Sequence, residues 1–296
     1  MTFVKKLFSA CLSALHRCSV FLGLLVTKLI PSIGIRWNEL CVKYVDSKKT
    51  TITHLLKGEP VSFSFYTPNT LNLYRAKTFS TKEPETLEWI DQYAKEGDTF
   101  FDIGANIGLY SIYYAKSKKG ITYSFEPSVF NVKLLVKNIN LNNCTERIRI
   151  ITNPLTSENS FADFNLQSTD EGGALSSFGV DYGHDGKKLN TQVSYKTLGF
   201  SLDYLVEQKM IPEIPAIIKI DVDGIEHLIL RGARKVLAHP DCRSVLIEVN
   251  DSFVELAAEV EKVLLTTGFV LLEKRSVDAD IESVSNFTYN QIWIKK

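Results

Sequence analysis

The stretch TFFDIGANIGLYSIYYA, residues 99–115, contains the change of pattern that decides the fold. β-Branched and aromatic residues lead into two glycines, Gly104 and Gly108, and an apolar helical pattern follows them. Glycine lets the backbone turn tightly and lets its N–H groups approach a ligand closely. The stretch therefore predicts a strand, a tight ligand-binding turn and a helix.

The composition indicates an ordinary globular protein. The 296 residues are 45% hydrophobic and 23% charged, which fits one large domain with an extension. The formal net charge is zero, so we predict no nucleic-acid partner. The five cysteines are scattered and form no C-x-x-C pair, which favours a reducing cytoplasm over a disulfide framework or a structural zinc site.

Residues 1–57 differ from the rest because nine basic residues stand against two acidic ones, a net charge of +7. Apolar residues recur at three- and four-residue steps within 4–29 and predict an amphipathic helix that Pro31 ends. The uncharged run 19–27 is shorter than the roughly 20 residues of a spanning helix. Two interpretations follow. The helix covers an apolar face of its own domain or of a second copy in a homo-oligomer, or residues 1–30 lie peripherally on the inner face of an anionic membrane.

The rest of the chain, residues 58–296, is predicted to be the main domain. Within 58–97, an alternating pattern around Pro68-Asn69 predicts a small antiparallel hairpin, with a helix after it. Within 98–296, strand and helix patterns alternate, and continuously apolar strands predict a mostly parallel sheet with helices on both faces. The last two strand patterns have no helix between them, so we expect an antiparallel last strand.

Ligands of open α/β sheets bind beyond the carboxyl ends of the strands. The residues that follow the predicted strands include 102–108, Glu126 and 221–226. The first of these lacks the third glycine of a dinucleotide fingerprint, and the carboxylate of Asp102 is a poor neighbour for a pyrophosphate. Glu126 ends the second strand, where an acid can accept both hydroxyls of a ribose. A ligand with a ribose, a positive charge and no phosphate is S-adenosylmethionine.

Five segments, in order, resemble the FkbM-type methyltransferase family. They are FFDIGANIGLYSIYYA, YSFEPSVFNVKLLVKNINLNN, SLDYLV, IIKIDVDGIEHLILRGA and VLIEVN, and D-V-D-G stands where the family often has D-V-E-G. The resemblance spans residues 60–295. It implies a Rossmann-like class I methyltransferase fold, with a seven-stranded, mostly parallel sheet and S-adenosylmethionine as the methyl donor. It also implies a small-molecule or glycan acceptor, methylated on a hydroxyl of a sugar or natural product.

The resemblance also assigns cofactor-binding roles by position. The turn after the first strand would hold the methionine end of the cofactor, Glu126 the ribose, Asn153 the adenine, and Asp221 would face the sulfonium. The residues of that turn are Asp102, Gly104, Asn106 and Gly108, with Asp102 expected near the cofactor's ammonium group.

Three carboxylates are candidates for the catalytic base. A sugar hydroxyl is a poor nucleophile until its proton is removed, and a general base helps by ~10²–10⁴. The candidates are Asp221, Glu226 and Glu248, with Asp221 or Glu226 preferred. Such a cluster also suits Mg²⁺. Because the spacing fixes no ligand geometry, no metal is predicted.

The long polar segment 168–188 is expected to build the acceptor site, since loops of this length in compact domains are usually lids or binding elements. Its Phe178 and Tyr182 could stack on a sugar ring. For His184 the sequence favours a solvated loop histidine, with assistance to proton transfer as the alternative. Two alternatives to an O-methyltransferase remain. One is an NAD-dependent oxidoreductase, which the missing third glycine disfavours. The other is a non-catalytic cofactor-binding scaffold.

Overall fold

The computed structural model describes residues 2–276 and 287–296. In the described part of the chain the helices and strands run in this order: α1 Thr2–Leu29, α2 Pro31–Asp46, β1 Lys49–Leu56, β2 Glu59–Tyr66, α3 Thr70–Lys77, α4 Pro84–Tyr93, β3 Thr99–Ile103, α5 Leu109–Ser117, β4 Ile121–Phe125, α6 Val129–Leu141, β5 Ile148–Ile151, β6 Ser160–Leu166, β7 Ser176–Phe178, β8 Val193–Gly199, α7 Leu202–Glu207, β9 Ile217–Ile220, α8 Glu226–Arg231, α9 Arg234–Ala238, β10 Ser244–Asn250, α10 Val254–Thr266, β11 Phe269–Ser276 and β12 Thr288–Lys295.

The central sheet has seven strands in the order β11-β12-β10-β9-β3-β4-β5. The pairs from β10 to β5 are parallel, and β12 inserts antiparallel between β10 and β11. Every residue of β9 is buried, as expected for a parallel strand covered on both faces. The predicted mostly parallel sheet with an antiparallel last strand is confirmed.

Two apolar clusters cover the two faces of this sheet. Helices α4, α5 and α6 pack on one face, around Trp89 and Phe100. Helices α7 to α10 pack on the other, around Phe101 and Ile218. Successive strand residues point to opposite faces, so Phe100 and Phe101 belong to different clusters. The sheet order reverses at β3, which lies between β4 and β9 and therefore marks the switch point where open sheets bind ligands.

The predicted hairpin lies earlier in the chain than expected. β1 pairs with β2 across a tight turn at Lys57 and Gly58, both at positive φ, whereas residues 70–77 form helix α3. Pro68-Asn69 is not the hairpin turn, because the Asn69 side chain accepts a hydrogen bond from Asn72 N at 2.8 Å and caps α3. The boundary expected at 57/58 therefore falls inside the hairpin, and the helical extension ends at Asp46.

Helix α1 forms as predicted and ends at Leu29, two residues before Pro31. It does not cover an apolar face of its own domain, because each side chain from Phe8 to Leu22 is exposed. The window Phe8–Leu29 has a mean hydropathy of 1.6, and none of it is buried. By length and composition it could cross a membrane, a test that a signal sequence near the N-terminus also passes. The argument from the short uncharged run is therefore wrong, since the apolar helix continues through Arg17.

Candidate active site

A cavity of about 330 Å³ opens at the carboxyl ends of β3, β4, β9 and β10. Its lining includes Gly104, Glu126, Asp221 and Glu248, one residue from the end of each of these strands. The volume is in the range of small-molecule sites. The structure therefore brings these four predicted residues together at the switch point of the sheet.

Gly104 permits the close approach of two turns. Its φ is +87°, and a Cβ atom there would lie 1.8 Å from the carbonyl oxygen of Asp221. No larger residue fits without moving the backbone of the neighbouring turn. Gly108, at φ +90°, begins α5, and a Cβ there would meet Leu135 at 2.5 Å. Both glycines are therefore required by the local geometry.

Glu126 and Asn106 form one hydrogen-bonded unit in the cavity wall. The Glu126 carboxylate accepts hydrogen bonds from Asn106 N at 2.8 Å and Ser128 N at 2.9 Å, one on each oxygen. Asn106 has a positive φ of 50°, and its side-chain oxygen is buried without a hydrogen-bond partner among the described residues. Burial raises the pKa of Glu126 to about 7, although its backbone hydrogen bonds oppose the shift.

We expect the affinity for S-adenosylhomocysteine to fall as the pH drops below 7. Ribose hydroxyls would donate to the ionised carboxylate of Glu126, so bound ligand favours deprotonation, and free Glu126 takes up its proton below about pH 7. The affinity is then constant above this pH and decreases by up to about tenfold per unit below it. Calorimetric titration from pH 5.5 to 8 measures this, and Glu126→Gln should flatten the profile. A wild-type profile that is flat across this range would contradict the expectation.

Three predicted cofactor residues, Asp102, Gly108 and Asn153, lie outside the cavity lining. Asp102 is 1% exposed and accepts a hydrogen bond from Ser111 Oγ at 2.5 Å, beneath the turn. Asn153 donates from its side chain to the carbonyl of Leu198, and the neighbouring Pro154 and Leu155 line the cavity in its place. Direct contacts of Asp102 with a cofactor ammonium and of Asn153 with adenine do not fit these positions.

Among the described residues that line the cavity, Lys219 is the one buried cation, and it lies below the carboxylates. It is 1% exposed, and its Nζ lies 2.6 Å from Asp221 Oδ2. Burial opposes its charge, but the carboxylates of Asp221 and Glu83 outweigh this effect and raise its pKa. Burial likewise opposes the charge of Asp221, and the ammonium of Lys219 lowers the pKa of that carboxyl. The pair is therefore ionised, with Asp221 facing the cavity.

The other two predicted catalytic carboxylates are placed differently from each other. Glu248 lines the cavity, and burial, together with the negative charges of Asp221 and Glu83, raises its pKa well above the usual range. The protonated form of Glu248 is therefore favoured relative to that of an exposed glutamate. Glu226 is 3% exposed and outside the lining, because it accepts hydrogen bonds from Val222 N and Gly224 N. Its position is that of a residue that shapes the turn after β9.

Sequence reasoning missed the polar wall opposite the sheet. Glu83 accepts a hydrogen bond from Tyr110 Oη at 2.8 Å and pairs with Lys82, and Arg75 lines the same side. These groups come from α3, from the segment before α4 and from α5. The sequence signals available were the adjacent charges of Lys82 and Glu83 and, for Lys219, a lysine inside the apolar strand pattern IIKI.

Segment 168–188 closes the cavity from one side. The Gly173 carbonyl accepts hydrogen bonds from the side chains of Asn106 and Asn131, each at 3.0 Å. Asp223 Oδ2 accepts from Leu175 N at 2.7 Å, and Asp223 adopts a positive φ of 64° to do so. The segment is therefore fixed at two points on the cofactor-side turns.

The aromatic residues of this segment do not form the expected stacking platform. Phe178 lines the cavity but is 1% exposed within a core cluster, and Tyr182 packs edge-on against Phe253 outside the lining. His184 lines the cavity. Among the residues that the structure describes, no three His, Cys, Asp or Glu side chains are grouped so that they could hold a metal ion.

The strand-end residues of this site lie within a part of the chain that matches a known protein family. The model of the family described as "Methyltransferase FkbM domain" matches residues 102–271. The chain belongs to the FkbM methyltransferase family. The match covers more than half of the chain and includes the turn after β3, Glu126 and the β9 and β10 strand ends. This FkbM protein is thus an S-adenosylmethionine-dependent methyltransferase, which rules against the oxidoreductase alternative.

Solved methyltransferases resemble the FkbM protein in fold. A precorrin-6y C5,15-methyltransferase from Geobacter metallireducens is 11% identical over 75% of this chain and 93% of that one, with a TM-score of 0.46. An rRNA methylase from Streptococcus thermophilus is 11% identical over 71% and 94%, with a TM-score of 0.44. TYW2 from M. jannaschii, solved with AdoMet, is 12% identical over 84% and 89%, with a TM-score of 0.41. A search of curated proteins finds no match.

Proposed function

We propose that the protein transfers a methyl group from S-adenosylmethionine to a hydroxyl of a sugar, glycan or glycolipid in polysaccharide biosynthesis. The observation that carries the proposal is the ionised Asp221 in the cavity lining, which also includes Glu126 and the polar wall of Arg75, Lys82 and Glu83. A charged hydrogen-bond acceptor in such a lining supports a hydroxyl as the acceptor group.

The residues present fit this cofactor. Glu126 has acceptor capacity left for ribose hydroxyls, and the apolar Pro127, Pro154 and Leu155 beside it suit a flat base. The carboxylates of the lining suit a cationic ligand, and the tight approach at Gly104 leaves backbone surface open to it. When bound, S-adenosylmethionine supplies a methyl group already activated on a sulfonium.

A sugar acceptor is supported by the polar wall. Arg75, Lys82 and Glu83 offer hydrogen-bond donors and an acceptor within one short segment, and the half-buried ring of Tyr74 lies beside them. This mixture of hydrogen-bonding groups and one aromatic surface is suited to a polyhydroxylated ligand. The wall is built by residues before 102, outside the part of the chain that the family match covers.

Asp221 is assigned as the group that orients the hydroxyl and takes its proton as the new O–C bond forms. Lys219 keeps Asp221 ionised, and the nearby Glu248, whose protonated form burial favours, can donate a hydrogen bond to the acceptor when protonated. The remaining contribution is the in-line orientation of the two reactants, which a rigid cavity provides.

The test is methyl transfer to a panel of mono- and oligosaccharides, read by mass spectrometry. We expect a methyl ether on a hydroxyl, and Asp221→Asn should lower the rate by about 10²–10⁴-fold, the contribution of a general base. Asp163→Asn, a change at an exposed strand residue, serves as the control. Glu226→Gln tests the other carboxylate that the sequence favoured as the catalytic base. Methylation at nitrogen or carbon, or full activity of Asp221→Asn, would refute the proposal, and cofactor binding without any turnover would favour the scaffold alternative.

A further inference from the structure

Helices α1 and α2 form a hairpin whose large apolar surface has no partner within the described residues. More than half of the large hydrophobic side chains that this structure exposes lie between residues 8 and 45. A contiguous apolar surface of this kind is rare on a soluble monomer and marks an interaction site. The question is what covers it.

The contact between the two helices shows which face of α1 remains free. Gly34 of α2 lies against Thr27, where a Cβ on Gly34 would meet the Thr27 side chain at 2.2 Å, and Trp37 lies beside Gly23. Helix α2 therefore packs on the side of α1 that carries small residues. The leucine stripe is left outside, with Leu15, Leu22 and Leu29 exposed by 66%, 61% and 71%.

The charges of the hairpin are complementary to one kind of surface. Residues 1–57 carry a net charge of +7, while the rest of the chain carries the opposite net charge. One of the two acids, Asp46, lies near Lys133 and Lys137 of α6, where Lys137 also donates to the Asp46 carbonyl. The free surface is thus apolar and basic, which matches a bilayer with anionic headgroups.

The geometry favours a helix lying in the interface over one that spans the bilayer. Arg17 is near the middle of the apolar window Phe8–Leu29, where a spanning helix would place a charge at the centre of the hydrocarbon. In the interface, the leucine stripe inserts and Arg17 stays at the headgroups. Trp37 and Tyr44 of α2 are exposed aromatic residues of the type enriched at headgroup level.

We propose that the α1–α2 hairpin docks the enzyme on an anionic phospholipid surface, with the leucine stripe of α1 inserted parallel to the membrane. This attachment is independent of the acceptor proposed above. It makes the protein a peripheral enzyme of the cytoplasmic membrane face. Helix α2 contacts α1 near Gly23 and Thr27, and the leucine stripe stays exposed in the described part of the chain.

The test is flotation of the full chain with vesicles of phosphatidylcholine alone or with phosphatidylglycerol. We expect binding only to the anionic vesicles, weakened in high salt because screening shortens the range of the basic charges. Leu22→Glu should lower the bound-to-free ratio by about ten- to hundredfold, the contribution of one inserted leucine. The control Leu198→Glu changes an exposed leucine of β8 and should bind as the wild type. An unchanged affinity for S-adenosylhomocysteine shows that both variants are folded.

Four outcomes would overturn the proposal. Two concern the vesicles: no flotation of the wild type, or equal flotation with neutral vesicles. The third is that the bound chain resists extraction by alkaline carbonate, which indicates a spanning helix. The fourth is that the chain isolated from cells begins after residue 29, which indicates a cleaved leader. A dimer in solution that Leu22→Glu dissociates, without vesicle binding, would assign the surface to a second copy of this chain instead.

Discussion

Replacing Glu126 with glutamine should weaken S-adenosylhomocysteine binding by about 10- to 100-fold. Hydrogen bonds to an ionised group contribute ~1.5–3 kcal/mol, and each 1.4 kcal/mol is about tenfold in affinity. In the free protein, both carboxylate oxygens of Glu126 already accept from backbone N–H groups, those of Asn106 and Ser128. An amide has one acceptor oxygen, so its NH₂ must face one of these donors. The variant loses both the ribose acceptor and the local support of the turn.

Calorimetric titration measures this effect, and Glu85→Gln is the matched control. Glu85 is also a buried glutamate with a hydrogen-bonded side chain, which accepts from Asn290 Nδ2 at 2.7 Å, but it lies outside the cavity lining. Its substitution should leave the affinity for S-adenosylhomocysteine unchanged. Wild-type affinity in Glu126→Gln would remove Glu126 from the cofactor site.

Replacing Lys219 with methionine should lower the free energy of unfolding at neutral pH by up to ~3–5 kcal/mol, the effect of removing one partner of a fully buried ion pair, since Lys219 is buried and the Asp221 side chain is 29% exposed to the cavity. Asp221 then loses its cation at 2.6 Å, and Asp102 loses a nearby positive charge. Without Lys219, the pKa of Asp221 in the folded protein rises above its unfolded value. The destabilisation is therefore largest where unfolded Asp221 is ionised and smaller as the pH falls toward 4.

Urea unfolding followed by circular dichroism measures this change, with Lys118→Met as the control. Lys118 is similarly buried, but its partner Asp91 is about half exposed at 3.4 Å, so water can replace the lost charge. The double variant Lys219→Met with Asp221→Asn should recover part of the lost stability. If Lys219→Met costs no more than Lys118→Met, the buried pair does not have the role assigned to it.

The sequence predicted the strand ends well because buried parallel strands are continuously apolar and end at polar residues. Strands β3 and β4 end at Ile103 and Phe125, as the pattern indicated, and Glu126 follows directly. Asp102 shows the limit of this reasoning. It lies within the ladder of β3, opposite Ser124 and Lys219, and its short side chain cannot reach past the strand end as that of Lys219 does.

The wall of Lys82, Glu83 and Arg75 could not be found from strand ends, because no strand precedes these residues. They reach the site through the packing of α3 on the β1–β2 hairpin and of α4 against α5 and β10, which are contacts between distant parts of the chain. The alternating pattern after Pro68-Asn69 predicts a strand, but the same eight residues also fit about two turns of a helix. Asn69 decided the outcome by capping the helix.

The contact between Gly104 and the Asp221 carbonyl has a consequence for how this enzyme could acquire new acceptors. Because the two turns touch, the floor of the cavity cannot be widened without separating the strands that support it. Segment 168–188 and residues 71–83 are anchored by hydrogen bonds and by Phe178 and Phe79 in the two apolar clusters, and the loop residues between these anchors can change in length and composition. Directed evolution toward larger substrates should therefore accumulate changes in these two walls and leave the floor intact.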